Sequence, residues 1–122
     1  MSTPKLDSIP DVEIDHGRFK YILIKLYDTK DGQEVSKNIV RGYNWAAYHA
    51  DIYENVDAKL RELGIESECV GGGRILHEMD KKSIQVYGYS TGYGKADHAV
   101  TTEILKKKYP DYGSITWSND GY

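Results

Sequence analysis

Between Phe19 and Tyr27 the chain is apolar or aromatic at every position except Lys20 and Lys25, and just before it Val12 and Ile14 alternate with acidic residues. Both stretches read as strands, with the turn between them at His16-Gly17. Lys30, Asp31, Gly32 and Gln33 mark a second turn. Glu34 to Arg41, with Val35, Ile39 and Val40, then reads as a further strand, and a hairpin is the economical arrangement. From Trp45 the period changes: Tyr48, Ile52, Val56, Leu60 and Leu63 recur every three or four residues until Gly64, which predicts an amphipathic helix closed by a C-terminal glycine. Asn44 caps that helix, or an irregular turn runs to Tyr48 and the helix begins at His49 or Ala50.

Strand-like residues resume around Cys69 and Val70, are interrupted by Gly71-Gly72-Gly73, and continue through Arg74 to His77, so a bulge or sharp bend is expected at the glycines. Ser83 to Tyr89 predicts a strand. The turn Ser90-Thr91-Gly92-Tyr93-Gly94 follows, and then a second helix from about Ala96 to Tyr109, with Ala99, Ile104 and Leu105 inward and Lys106, Lys107 and Lys108 at the end where positive charge suits the helix dipole. Ser114 to Trp117 supplies a last short strand. The pattern predicts an α+β (mixed α/β) fold in one domain spanning 1–122, with residues 1 to about 8 flexible.

Length and composition narrow the function. A chain of 122 residues holds one core. Its formal charge of −3 supplies no field for nucleic acid, so any anion site must be local. The single cysteine, Cys69, cannot form an internal disulfide, which fits a cytosolic or nuclear location. Residues 1–9 lack the apolar core of a signal peptide, and no run approaches the length of a membrane span.

The residues that can carry chemistry lie in three places. His49 sits near a helix start, where unpaired N–H groups and a partial positive charge would hold a phosphate within reach of an imidazole. The Ser90–Gly94 turn joins a strand to a helix, the architecture of a backbone phosphate cradle, although Gly94-Lys95-Ala96 lacks the hydroxyl of a Walker loop and the dinucleotide fingerprint is absent. Cys69-Val-Gly-Gly-Gly-Arg74 is one residue short of the cysteine-phosphatase loop, so Cys69 reads as a strand residue, while Arg74, a planar fork beside flexible glycines, is a candidate oxyanion ligand. The histidines at 16, 49, 77 and 98 show no metal-ligand spacing. The tyrosines, Tyr48 among them, read as core and rim packing.

Taken together, Ile9-Pro-Asp-Val, Phe19-Lys20-Tyr21, Val40-Arg41-Gly-Tyr with Trp45, Tyr48-His49-Ala-Asp-Ile-Tyr, Gly71-Gly-Gly-Arg74-Ile, Val86-Tyr-Gly-Tyr-Ser90, His98-Ala99, Tyr109-Pro-Asp-Tyr and Asn119-Asp-Gly-Tyr122 resemble the janus family of small protein phosphohistidine phosphatases, from Ile9 to the last residue. The resemblance implies a sheet of about six strands, mixed, with one helix on each face, and a metal-independent, cofactor-free monomer that hydrolyses phosphohistidine, or phospholysine, in proteins. It makes His49 the catalytic histidine, as general base or as nucleophile, and Lys20 a phosphate-binding lysine. Ser90, Thr91 and Gly92 become the loop whose amides hold the phosphate, and Arg74 and Arg41 line or brace the site. Tyr48 and Ala50 complete the set around a phosphate or sulfate anion. Thr91 and Gly92 stand at variable positions, and the segment between Thr29 and Lys37 is shorter and more polar than in the family, which bears on partners more than on chemistry. A noncatalytic phosphate-binding or regulatory module is the alternative.

Overall fold

The computed structural model describes residues 2–119, so Asp120, Gly121 and Tyr122 of the last matching motif lie outside the described residues. In chain order the elements are α1 (Pro4–Asp7), β1 (Val12–Ile14), β2 (Gly17–Lys30), β3 (Gln33–Tyr43), α2 (His49–Glu62), β4 (Glu66–Glu78), β5 (Ser83–Tyr87), α3 (His98–Lys108) and β6 (Ser114–Trp117). The strands form a single mixed sheet in the order β1-β3-β2-β4-β5-β6.

Strand β2 decides the architecture. Its side chains alternate between the faces of the sheet, as the pleat requires. Phe19, Tyr21 and Leu23 enter one core, which α3 closes with Leu105. Ile22, Ile24 and Leu26 enter a second, which α2 closes with Ile52, Val56 and Leu60. A strand apolar on both faces needs cover on both, and the expected helix on each face follows.

Strand β2 pairs antiparallel with β3 on one side and with β4 on the other. The β2–β3 connection is a two-residue turn in which Asp31 and Gly32 both have positive φ, the geometry that matches strand twist. Helix α2 ends as its glycine predicts. The amide of Gly64, at φ 74°, donates to the Arg61 carbonyl, and the Ile65 amide donates to Leu60 (2.9 Å) while their side chains meet in the core. At the glycines β4 bulges: Gly71 faces Leu23 and Cys69 faces Ile24, leaving Val70 as the extra residue.

Two expectations are corrected, for the N-terminal stretch and for the inward face of α3, while the turn at His16-Gly17 falls where expected without pairing the strands that it joins. Both sides of β2 are taken, so β1 crosses to the free edge of β3 and pairs with it in parallel, Val12 opposite Val40. The N-terminal stretch is not left loose: Thr3 caps α1 by accepting from the Leu6 amide (3.2 Å), its hydroxyl donates to Asp28 (2.6 Å), and Leu6 is fully buried in the core of α2. Helix α3 starts at His98, capped by Asp97, and turns His98, Thr101, Thr102 and Leu105 inward, with Ile104 packed half-buried against that core and Ala99 half-buried outside it. The polar members of that face are all satisfied, Thr102 by donating to the Ala99 carbonyl (3.0 Å). Nε2–H of His98 donates to the Gly88 carbonyl (2.8 Å), so its Nδ1 must accept from the Tyr21 hydroxyl (2.6 Å), whose oxygen in turn accepts from Thr101 (3.0 Å).

Two substitutions test this packing by chemical denaturation. A Cβ at Gly73 would overlap the Tyr87 carbonyl oxygen and lie 2.8 Å from the His98 ring, so Gly73→Ala is expected to destabilise by about 1–3 kcal/mol. Leu6→Ala is expected to cost about 3 kcal/mol, and a shift within error would show that α1 is not docked.

Candidate active site

Helix α2 starts above β4, and the contact between them is set by a glycine. A Cβ at Gly72 would stand 2.7 Å from Cδ2 of His49, so only glycine lets the imidazole lie against the strand. There the ring is anchored. Its Nε2 lies 2.9 Å from the carbonyl oxygen of Gly73, and since a carbonyl only accepts, the proton is on Nε2 and Nδ1 carries the lone pair. Among the described residues nothing bonds Nδ1, and no buried side-chain nitrogen or oxygen lacks a partner. Nδ1 is therefore accessible, on the ring edge away from the strand. Burial lowers the His49 pKa below the ordinary imidazole value. The hydrogen bond to Gly73 opposes that shift, and the charges of Lys20 and Arg74 add to it.

The two cations are placed by register. Lys20 on β2 stands opposite Arg74 on β4, so both point to the α2 face beside His49. The third wall is the turn after β5. Ser90 and Gly94 exchange two backbone hydrogen bonds (3.0 and 2.8 Å), the buried Ser90 hydroxyl accepts from the Tyr93 amide (3.1 Å), and the Gly94 carbonyl accepts from the Gly72 amide (3.0 Å). Among the described residues, nothing accepts from the Thr91 or Gly92 amide at the tip. The first-turn amides of His49 and Ala50 likewise have no carbonyl four residues back within the helix.

Lys20, Tyr48, His49, Ala50, Arg74, Ser90, Thr91 and Gly92 thus line one open cleft of about 710 Å³, joined by Ala47, Tyr89 and Tyr93, which the sequence did not place there. Tyr89 precedes the turn and Tyr93 lies within it, and both could have been found from that position alone. Arg41 is not brought to the cleft. Its guanidinium is buried against the N-terminal segment, donating to the carbonyls of Val40 (2.9 Å) and Pro10 (2.8 Å), so it braces β1 and what precedes it.

The remaining candidates fall away on geometry. His77 donates from Nδ1 to the Asp15 carbonyl (2.8 Å) and accepts at Nε2 from Tyr112 (2.7 Å), and His98 is bonded at both nitrogens. Among the described residues His49 is the one carbonyl-anchored histidine that keeps a lone pair for a ligand. Cys69 is half-buried and burial pushes its thiol up to about 11, too weakly acidic to supply a thiolate. Among the described residues no three metal-ligating side chains converge. A groove of about 790 Å³ between residues 9–11 and α3 is larger than the cleft, but its lysines, Lys37 and Lys107, share it with Asp7, Asp11 and Glu103, Lys37 pairs with Asp11 (2.9 Å), and no histidine or arginine lines it, so size does not identify the site.

A cleft with an imidazole whose pKa is lowered, two cations and unpaired amides has the chemistry to hold an oxyanion beside a base or nucleophile. Comparison with known proteins agrees with that class. Residues 6–113 match the model of the Janus/Ocnus family, and the chain belongs to that family. It is 54% identical to the 14 kDa phosphohistidine phosphatase of Sus scrofa, over 96% of this chain and 95% of that one, and 52% identical to the 14 kDa phosphohistidine phosphatase of Homo sapiens over the whole of both. It is also 50% identical to the sex-regulated protein janus-A of Drosophila pseudoobscura pseudoobscura, over 100% of this chain and 83% of that protein.

The anchored ring makes a spectroscopic prediction. Nitrogen NMR is expected to show His49 as the Nε2–H tautomer, with protonation at a pH below the ordinary imidazole range. Because the folded pKa is depressed, the neutral form persists as the pH falls through the range where a free histidine charges, and titration at or above the ordinary value would contradict the burial and the two neighbouring cations.

Proposed function

We propose that this chain is a protein phosphohistidine phosphatase in which Nδ1 of His49 is the reacting atom. The observation that carries the reading is the imidazole held through Nε2 by Gly73, with its other nitrogen open to a cleft where Lys20, Arg74 and the Thr91 and Gly92 amides converge. Phosphoryl transfer passes through a loose transition state, so fixed positive charge and N–H groups around the equatorial oxygens supply most of what a protein can give. The amides of His49 and Ala50 at the helix start add to that field.

Two routes use the same atom. Nδ1 accepts a proton from water as the water oxygen attacks phosphorus, or Nδ1 itself bonds to phosphorus and water hydrolyses the resulting phosphohistidine afterwards. In both, the substrate's imidazole takes a proton from solvent on its free nitrogen, the P–N bond breaks with its electron pair returning to the ring, neutral imidazole departs, and a P–O bond to the water oxygen forms in the product. That leaving group departs readily once protonated, so the protein needs no strong acid at the cleft. Its substrates are histidine-phosphorylated proteins, and phospholysine, another phosphoramidate, is chemically close enough to be admitted.

Phosphate release from a histidine-phosphorylated peptide, with chelator present, tests the reading. His49→Ala is expected to lose about 10²–10⁴-fold in turnover, the usual scale for a proton-transferring group. Lys20→Ala and Arg74→Ala are expected to lose about 10²-fold each as anion-stabilising groups. Equal rates for the parent and His49→Ala would remove His49 from the chemistry. No release by the parent, with phosphate binding intact, would make the chain a phosphate-binding module. Rapid quenching into alkaline denaturant, in which a P–N bond survives, separates the two routes during turnover, since only the nucleophilic one leaves phosphate on His49.

A further inference from the structure

The cleft does not end at Lys20 and Arg74. Along the sheet, Lys20, Arg74 and Tyr87 stand opposite one another on β2, β4 and β5, and two residues further out Arg18, Leu76, Gln85 and Thr116 form the next row across to β6. Facing residues share a side of the sheet, so both rows lie on the face of α2. That helix lies over β2, β3 and β4, and Arg18, Gln85 and Thr116 are exposed. Lys20 and Arg74 line both the His49 cleft and an adjoining recess that contains Arg18, and Arg18 with Tyr87 enters a third, of about 260 Å³.

The charge on this face is one-sided. The chain has 19 acidic residues against 16 basic ones, yet among the described residues no carboxylate lines any of the three recesses. Arg18 is turned toward a neutral partner. One guanidinium nitrogen donates to the Tyr87 hydroxyl, and its carbon stands 5.9 Å from the centre of the Tyr87 ring. Among the described residues neither Arg18 nor Lys20 forms a salt bridge. Arg18 is held in place by an aromatic ring while its charge stays available to an incoming anion.

Resting on the phosphatase reading, we propose that Arg18, braced by Tyr87, is a specificity subsite for an acidic side chain that flanks the phosphohistidine of the substrate protein. One strand repeat of two residues separates Arg18 from Lys20, roughly 6.7 Å, which is also about two residues of an extended peptide laid along the face. The acidic residue therefore sits about two positions from the phosphohistidine. Lys20 and Arg74 take the phosphoryl group and Arg18 takes the neighbour.

The test compares kcat/KM for two phosphohistidine peptides that differ only in carrying Glu or Gln two residues to either side of the phosphohistidine. The parent is expected to prefer the Glu peptide about three- to fivefold at low salt, the scale of an exposed ion pair, with the preference shrinking as ionic strength rises. In Arg18→Ala the ratio is expected to fall to about one, and in Arg18→Glu to drop below one. Hydrolysis of the Gln peptide by each variant shows that it is folded. Equal use of both peptides by the parent would overturn the subsite while leaving the phosphatase reading intact, and a ratio preserved in Arg18→Ala would overturn the assignment to Arg18. If the parent hydrolysed neither peptide, the phosphatase reading would fall and the subsite with it.

Discussion

Three consecutive residues without side chains, Gly71, Gly72 and Gly73 in β4, let everything else in the site come close enough to function. A Cβ at Gly71 would lie 2.6 Å from the backbone of Ala96, one at Gly72 would meet the His49 ring, and one at Gly73 would meet the His98 ring and the Tyr87 carbonyl. Successive residues of a strand face opposite ways. His49 therefore lies on one side of this strand and His98 on the other, while the chain entering α3 crosses at Gly71. Glycine weakens a strand on its own. Here the missing side chains are replaced by two imidazoles and a backbone crossing, and the Gly73 carbonyl becomes the anchor that selects the tautomer of His49.

The same strand ties the anion loop to the base. Gly72 donates to the Gly94 carbonyl and accepts from the Ala96 amide (3.1 Å), which holds the Ser90–Gly94 turn over the residue on which the His49 ring rests. The distance from the loop amides to Nδ1 is thus governed by one short piece of backbone, with no long flexible side chain between. Electrostatics acts in the same direction. Burial and the charges of Lys20 and Arg74 keep the imidazole neutral, and those cations would stabilise negative charge gathering on a bound phosphoryl group. One pair of cations favours both the reactive form of the base and the anion it would face.

Much of this could be read from the chain, because much of it is periodic. The two-faced apolar run of β2, the three-and-four spacing of α2 with its closing Gly64, and the break at the β4 glycines each leave a local signature, and each was found where expected. What escaped depends on partners distant in sequence. The route of β1 to the far edge of β3 follows from both sides of β2 being occupied, which no local pattern reveals. The buried face of α3 is half polar because Tyr21, 80 residues away, satisfies Thr101, and the same hydroxyl satisfies His98. The family resemblance implied that Arg41 lines or braces the site, yet its register opposite Glu13 and Ile22 sends it to the N-terminal segment. Nothing local marks Arg18, since its neighbours across the sheet come from β4, β5 and β6.

A phosphate cradle built from backbone divides the sequence into positions that can vary and positions that cannot. At Gly92 the tip of the loop is open, with nothing within 4 Å of where a Cβ would go, so a side chain there leaves the amide unchanged. At Gly72 the same change would displace the base. Such a cradle would recognise a phosphoryl group whatever protein carried it, and discrimination between proteins would have to come from surfaces that the phosphoryl group does not touch. Around this cleft those surfaces are the exposed aromatic rim of Trp45, Tyr48 and Tyr89, which offers area with little charge, and the uncovered end of the sheet, which offers charge in a fixed register. Only the second can distinguish an acidic neighbour from a neutral one of the same size, because rejecting an isostere requires a group whose interaction with the two differs in charge and not in shape.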